Sequence, residues 1–282
     1  MDIEVEKATA TGFCIGVKRA IETLEKVAAE RGQVEALGAF VHNRQVLQRM
    51  EKLGVRVTNS LDDIKGNIVA IGAHGVGPEL EAEIRSRYSD VINTTCPFVH
   101  RAHVAADRLT RAGFYVIVYG DVGHPEVKGI LGWANNNGIA TLDENLIAEM
   151  EPLPRRIGVL SQTTQIPARF TEFAKKIIDL ALVKDAEVRI ADTICHDVRD
   201  RQQAALELAH RVDLMLVIGS HTSANTKHLA ELCATVTETQ AIENADEIQL
   251  SGIKGRRIGV TGGTSTAEET IDEVIERLKN LY

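Results

Sequence analysis

The sequence predicts an α/β protein in which one strand-and-helix unit is repeated three times. Three observations predict it. Short apolar β-like runs alternate with helical stretches along the 282 residues. Cys14, Cys96 and Cys195 each fall between such a run and such a stretch. Each is followed 28 residues later by a polar loop residue, His42, His124 or Ser223. The chain therefore reads as three pseudo-threefold-related α/β domains, residues 1–95, 96–194 and 195–282, with one thiol at an equivalent place in each.

The elements follow in order within each copy. Before each thiol lies a β-like run, at residues 3–5, 91–92 and 188–190, and then a polar lead-in rich in threonine. After each thiol, apolar residues recur at three-to-four spacing and predict a helix, over 15–24, 99–109 and 198–208. A first strand-loop-helix element follows, with strands at 36–41, 115–119 and 214–218, and a second with strands at 68–71, 157–160 and 257–260. Strands that alternate with helices pair in parallel and are covered on both faces, and their C-terminal ends are where such folds bind ligands. Three small, mainly parallel sheets around a common axis would aim all nine loops at one cavity.

Composition narrows the functional classes. The formal net charge of −8 supplies no broad basic field, so neither nucleic acid nor an anionic membrane is an expected partner. A small anionic substrate remains compatible, because helix N-termini, hydroxyls and histidines bind phosphate at short range. No apolar stretch approaches the length of a membrane span, and the N-terminus lacks a secretory pattern, so a cytoplasmic protein is expected. Four cysteines are too few for a disulfide framework in a chain of this length.

The chemistry-bearing residues collect where the repeat puts its loops. Three thiolates on a pseudo-threefold axis would hold a soft metal centre, iron or zinc, and leave one coordination position open. A helix N-terminus suits a thiolate, since its free N–H groups and dipole stabilise the negative charge. Cys233 sits within a helical apolar pattern without a counterpart in the other copies, and reads as core. His42, His74 and His124 follow predicted strands and suit an anion, helped by partial or full protonation beside it. His100 and His103 share one helix and read as ordinary helix-face residues. Glu126, at the mouth of a strand after Gly123-His124-Pro125, suits proton donation if desolvation raises its pKa. Thr163, Thr164, Ser223, Asn225 and Ser265 offer neutral donors, although each alone would read as a helix cap. Gly262-Gly263-Thr264-Ser265 is a weak phosphate-cradle candidate, and no dinucleotide fingerprint is present.

Seven motifs, in order along nearly the whole chain, resemble those of the 4-hydroxy-3-methylbut-2-enyl diphosphate reductase family. They are Thr11-Gly12-Phe13-Cys14-Ile15-Gly16, Val41-His42-Asn43, Ala73-His74-Gly75-Val76, Thr95-Cys96-Pro97, Gly123-His124-Pro125-Glu126, Gln162-Thr163-Thr164 and Asp192-Thr193-Ile194-Cys195. The resemblance implies a trefoil of three α/β domains around a central iron–sulfur site. It implies a 4Fe-4S cluster held by Cys14, Cys96 and Cys195, with one iron not bound by a protein thiolate and available to the substrate hydroxyl. It further implies reductive dehydroxylation to isopentenyl and dimethylallyl diphosphate, with electrons from a ferredoxin or flavodoxin-type donor. Glu126 would deliver protons and Thr163 would hydrogen-bond the hydroxyl region. His42, His74, His124, Ser223, Asn225 and Ser265 would hold the diphosphate. Where the family carries a second serine this chain has Ala224, which keeps only its backbone N–H for the anion.

Two other readings compete on the residues alone. One is a non-redox phosphometabolite-binding module with a structural zinc, and the other is a cluster-dependent hydro-lyase. A structural zinc site wants a fourth protein ligand that the repeat does not supply.

Overall fold

The computed structural model of the chain describes residues 4–249 and 255–280; residue 3, at the head of the first expected strand, lies outside them. Among the described residues, twelve strands form three four-stranded sheets in which every pairing is parallel. β1 (Glu4–Lys7) leads through the Cys14 loop into α1 (Ile15–Arg31). The chain divides into two compact units, Arg19–Phe40 with Arg49–Cys195, and Met1–Lys18 with Val41–Gln48 and His196–Tyr282.

The larger unit contains two sheets. β2 (Val34–Leu37), β3 (Val55–Thr58), β4 (Ile68–Ile71) and β5 (Asp90–Asn93) lie in the order β3-β2-β4-β5. Between them run α2 (Arg44–Lys52), which crosses the division between the units, and α3 (Pro78–Arg87). After α4 (Pro97–Arg111) the pattern recurs: β6 (Tyr115–Tyr119), β7 (Gly138–Thr141), β8 (Arg156–Ser161) and β9 (Glu187–Ile190) lie in the order β7-β6-β8-β9. Their helices are α5 (Pro125–Trp133), the short α6 (Asn145–Ala148) and α7 (Pro167–Val183).

β6 shows why this sheet is covered twice. Successive side chains of a strand point to opposite faces. Val116 and Val118 pack with Ala102, Ala106, Val127 and Ile130 of α4 and α5. Ile117 and Tyr119 pack with Phe170, Phe173 and Ile177 of α7. An unbroken apolar run is the signature of a strand buried on both sides.

The smaller unit contains the third sheet, built from β10 (Leu214–Ile218), β11 (Glu238–Ile242) and β12 (Arg257–Gly262), with α8 (His196–Ala209), α9 (Ala224–Ala234) and α10 (Glu268–Lys279). Its order is β1-β12-β10-β11, so β1 occupies the edge that β5 and β9 occupy in the other sheets. The internal repeat is thus visible in the topology, with its last sheet closed by the first strand of the chain. Leu214, Leu216 and Ile218 face α10, whereas Met215 and Val217 face the cluster containing Leu208, Leu229 and Cys233.

Two details differ from the sequence reading. The strand expected over 36–41 is observed at Val34–Leu37, because Gly38 at φ +75° turns the chain and Phe40 and Val41 are buried in the loop instead. The outer strands β3, β7 and β11 were not expected, being short and partly exposed. No helix among the described residues is long and apolar enough to cross a membrane.

Candidate active site

All three thiol loops are tied down in the same way. In the larger unit, the Cys96 N–H donates to the Ala73 carbonyl at 2.9 Å and the Cys195 N–H to the Thr163 carbonyl at 3.0 Å. In the smaller unit, the Cys14 N–H donates to the Thr264 carbonyl at 3.0 Å. Each acceptor lies two residues beyond the second strand of a copy, β4, β8 or β12. The strand-to-helix turn that carries each thiol is therefore anchored to the loop that carries His74, Thr163 or Ser265.

Each of the three thiols immediately precedes a helix, whereas Cys233 lies within one. Cys96 is the N-cap of α4, followed by Pro97. Burial raises its pKa, the Phe98 and Val99 N–H groups oppose that shift, and Glu126 and Arg19 act in opposite directions as charges. The Cys14 sulfur accepts from the Val17 N–H at 3.4 Å, and Cys195 is buried. Cys233, by contrast, lies in the apolar core, and burial pushes its thiol up to about 11. A soft metal centre fits thiols at helix starts that form no disulfide and does not fit Cys233.

In the larger unit, Glu126 is the central acid. It lies in the first turn of α5 and is 2% exposed. The Thr163 N–H donates to one carboxylate oxygen at 2.6 Å and the Thr163 hydroxyl to the other at 2.9 Å. Burial raises its pKa to about 6 against those two hydrogen bonds. Because Thr163 also accepts the Cys195 N–H, the acid and that thiol are joined through one residue. His124, the N-cap of α5, accepts the Glu126 N–H on Nδ1 at 3.2 Å, which sets the neutral ring with its proton on Nε2. Its centroid is 5.1 Å from that of His74, with the rings edge to face.

In the smaller unit, the Ser265 hydroxyl donates to the His42 carbonyl at 3.4 Å, and the Asn43 amide donates to the Ser265 carbonyl at 3.1 Å. His42 also lines a cavity of about 220 Å³ together with Asn43, Gly219, Ser220 and Thr266. Burial lowers the His42 pKa, so the protonation expected beside an anion is opposed until an anion is bound. Ser223 caps α9, accepting the Thr226 N–H at 3.4 Å. Ala224 and Asn225 form the first turn of that helix, and the buried Asn225 amide nitrogen has no hydrogen-bond partner in the protein. Gly262 and Gly263 serve packing: a Cβ on Gly263 would meet the Thr226 hydroxyl at 2.3 Å.

Several supporting residues escaped the sequence reading. Arg201, 4% exposed, pairs with Asp197 at 2.8 Å and reaches the Thr11 carbonyl at 3.3 Å, while Asp197 accepts the Ile15 N–H at 3.2 Å. Together they hold the Cys14 loop. Arg101 donates to the Ile194 carbonyl at 3.1 Å, just before Cys195. In sequence, Asp197 and Arg201 look like an ordinary i,i+4 helix pair, and nothing local signals their reach. His100 is exposed, as a helix-face residue should be, but His103 is buried. Thr163, which alone would read as a helix cap, is none: α7 starts at Pro167, with Ile166 at its N-cap position and no side-chain cap.

Parallel sheets whose C-terminal loops carry anchored thiols, imidazoles and a buried, protonatable acid define an α/β enzyme equipped for acid-assisted chemistry. The chain belongs to the LytB protein family, whose model matches residues 5–279. It is 61% identical over 280 residues to the 4-hydroxy-3-methylbut-2-enyl diphosphate reductase of Dehalococcoides mccartyi strain CBDB1, covering 99% of each chain. It is 40% identical over 282 residues to the enzyme of that name from Geobacter metallireducens, covering 99% of this chain and 98% of that one. A solved structure of (E)-4-hydroxy-3-methyl-but-2-enyl diphosphate reductase, the terminal enzyme of the non-mevalonate pathway, aligns over 99% of this chain and 100% of its own with a TM-score of 0.72 and 35% identity. The reductase from Plasmodium falciparum shares the fold, with a TM-score of 0.89 at 24% identity over 98% of this chain and 88% of its own.

Proposed function

We propose that the chain is a 4-hydroxy-3-methylbut-2-enyl diphosphate reductase, the terminal enzyme of the non-mevalonate pathway. Full-length identity to reductases of that name supports the reading. The observation that carries its chemistry is the buried Glu126, raised to about 6 and bonded to Thr163 beside Cys195. The substrate takes up two electrons and two protons, its carbon–oxygen bond breaks, and water leaves with isopentenyl or dimethylallyl diphosphate as product.

The thiolates of Cys14, Cys96 and Cys195 would hold a 4Fe-4S cluster. When bound, it supplies single-electron transfer and a Lewis-acidic iron not ligated by protein thiolate. Glu126 stores a proton on its carboxyl, and Thr163 passes it on: a protonated Glu126 donates to the Thr163 oxygen, whose own hydrogen then turns toward the substrate hydroxyl. His42, His74, His124, Ser223, Asn225 and Ser265 bind the diphosphate, with Ala224 adding only its N–H. The repeat boundaries at 95/96 and 194/195 belong to this proposal, with each copy contributing one thiol and two donor loops. A ferredoxin or flavodoxin-type partner supplies the electrons one at a time.

Anaerobic incubation of the cluster-loaded protein with substrate and a low-potential donor tests the reading. Two electrons consumed per isopentenyl plus dimethylallyl diphosphate formed is the required ratio. Substrate bound without consumption of reductant replaces it with the binding module, and water addition or loss without reductant replaces it with the hydro-lyase.

Two substitutions probe the diphosphate donors. Asn225→Ala raises KM roughly tenfold, about the strength of one hydrogen bond to a charged group, yet costs little folding stability because the amide nitrogen is unpaired within the protein. Steady-state kinetics beside thermal unfolding check this, and an unchanged KM removes Asn225 from the site. Ala224→Ser restores a hydroxyl in the first turn of α9 and should lower KM by roughly threefold, the low end of a hydrogen bond's worth. An unchanged or higher KM shows that the backbone N–H suffices there.

A further inference from the structure

We infer that His103 on α4 is a positioning residue for diphosphate binding, acting as a spacer between the His74 loop and the helix that begins at His124. The inference rests on the substrate reading above, and all the groups it invokes belong to the larger unit. His103 is 2% exposed, and its Nε2 has no hydrogen-bond partner. Burial, and then the charge of His100, lower its pKa to about 4, so the ring is neutral at ordinary pH. A buried imidazole whose Nε2 gains no hydrogen bond acts there through its shape.

That shape fills a narrow slot. A Cβ on Gly75, the residue after His74, would lie 2.6 Å from the ring's Cε1; Gly75 also adopts φ +66°. A Cβ on Gly129, five residues after His124 on α5, would lie 3.1 Å from Nε2. One flat ring therefore separates the two histidine-bearing segments and keeps them from moving closer. The opposite motion is restrained by Trp133 of α5, which stacks on His103 at 5.7 Å and 20° and donates its indole N–H to the Val76 carbonyl at 2.9 Å. Spacer and tie together hold the His74 and His124 rings at their 5.1 Å separation. Two donors that grip one anion lose affinity when their separation drifts, because the anion cannot satisfy both.

The test measures inorganic diphosphate binding by calorimetry on protein whose cluster absorption and thermal unfolding have been verified. His103→Ala should weaken binding about tenfold, and His103→Gln, which keeps most of the volume, should recover most of that loss. Gly129→Ala should weaken it about threefold, because the new methyl pushes on the ring, yet should add nothing in the His103→Ala background, where the methyl has room. In steady-state assays the rise in KM should exceed the fall in kcat. Unchanged affinity in a folded His103→Ala protein overturns the proposal, as do additive effects of the two substitutions. If His103→Ala does not fold, unchanged affinity in Gly129→Ala overturns it. His124→Ala separates this failure from failure of the site itself: if it binds diphosphate like wild type, the assignment of His124 falls, whereas if it loses binding while the His103 variants do not, only the spacer falls.

Discussion

Serine in place of Cys14, Cys96 or Cys195 abolishes the anaerobic brown absorption of the cluster and lowers reductase activity by about a thousandfold or more, since a hydroxyl is a poor substitute for a thiolate on iron. Cys233→Ala keeps the absorption. Its thiol lies among Leu208, Val217 and Leu229, and burial holds it up at about 11, far from a ligand's thiolate. Spectra with iron and sulfide counts decide the matter. Cluster loss in a folded Cys233→Ala protein, or full retention in a Cys96 variant, sinks the ligand set. The cluster-loaded protein should also lose activity in air, because the proposed iron without a thiolate would be open to oxidation.

Glu126→Gln lowers kcat by about a hundredfold to ten-thousandfold, the usual range for a lost general acid, with a much smaller change in KM. The amide keeps an acceptor for Thr163 but has no acidic proton. The pH profile tests the same point with its sign. Where protonated Glu126 is required, kcat falls as pH rises through about 6, and the glutamine variant loses that dependence. Stability follows by linkage. The folded pKa, about 6, lies above the ordinary 4.5, so the contribution of the neutral acid is fully present below about 4.5 and is lost as pH rises through about 6. Thermal unfolding of the two proteins across that window should diverge in favour of glutamine by about 2 kcal/mol at most. Wild-type turnover in Glu126→Gln would leave the carboxyl as a helix-end residue only.

The local elements were legible in the sequence because each rests on short-range patterning. The apolar runs of β4, β6, β8, β10 and β12 and the helical spacing after each cysteine are properties of a few neighbouring residues. Repetition of the cysteines pointed to equivalent positions, and the structure gives those positions the same backbone bond to the loop after β4, β8 or β12. The edge strands β3, β7 and β11 were less legible, because an outer strand buries little and its residues carry a weak apolar signal.

The sequence by itself determined the candidate site residues, the parallel α/β class and the family motifs. Tertiary structure alone decided that β1 closes the sheet of β10, β11 and β12, since strand pairing across the whole chain length leaves no local trace. It also decided that Arg201 holds the Cys14 loop and that His103 is buried rather than exposed. The acidity of Glu126 belongs to the same category. A glutamate after His-Pro is compatible with a solvated helix start, and only burial against Thr163 turns it into a group that titrates near neutrality. Desolvation depends on what the fold stacks over a residue, and that is a property of contacts between segments distant in the chain.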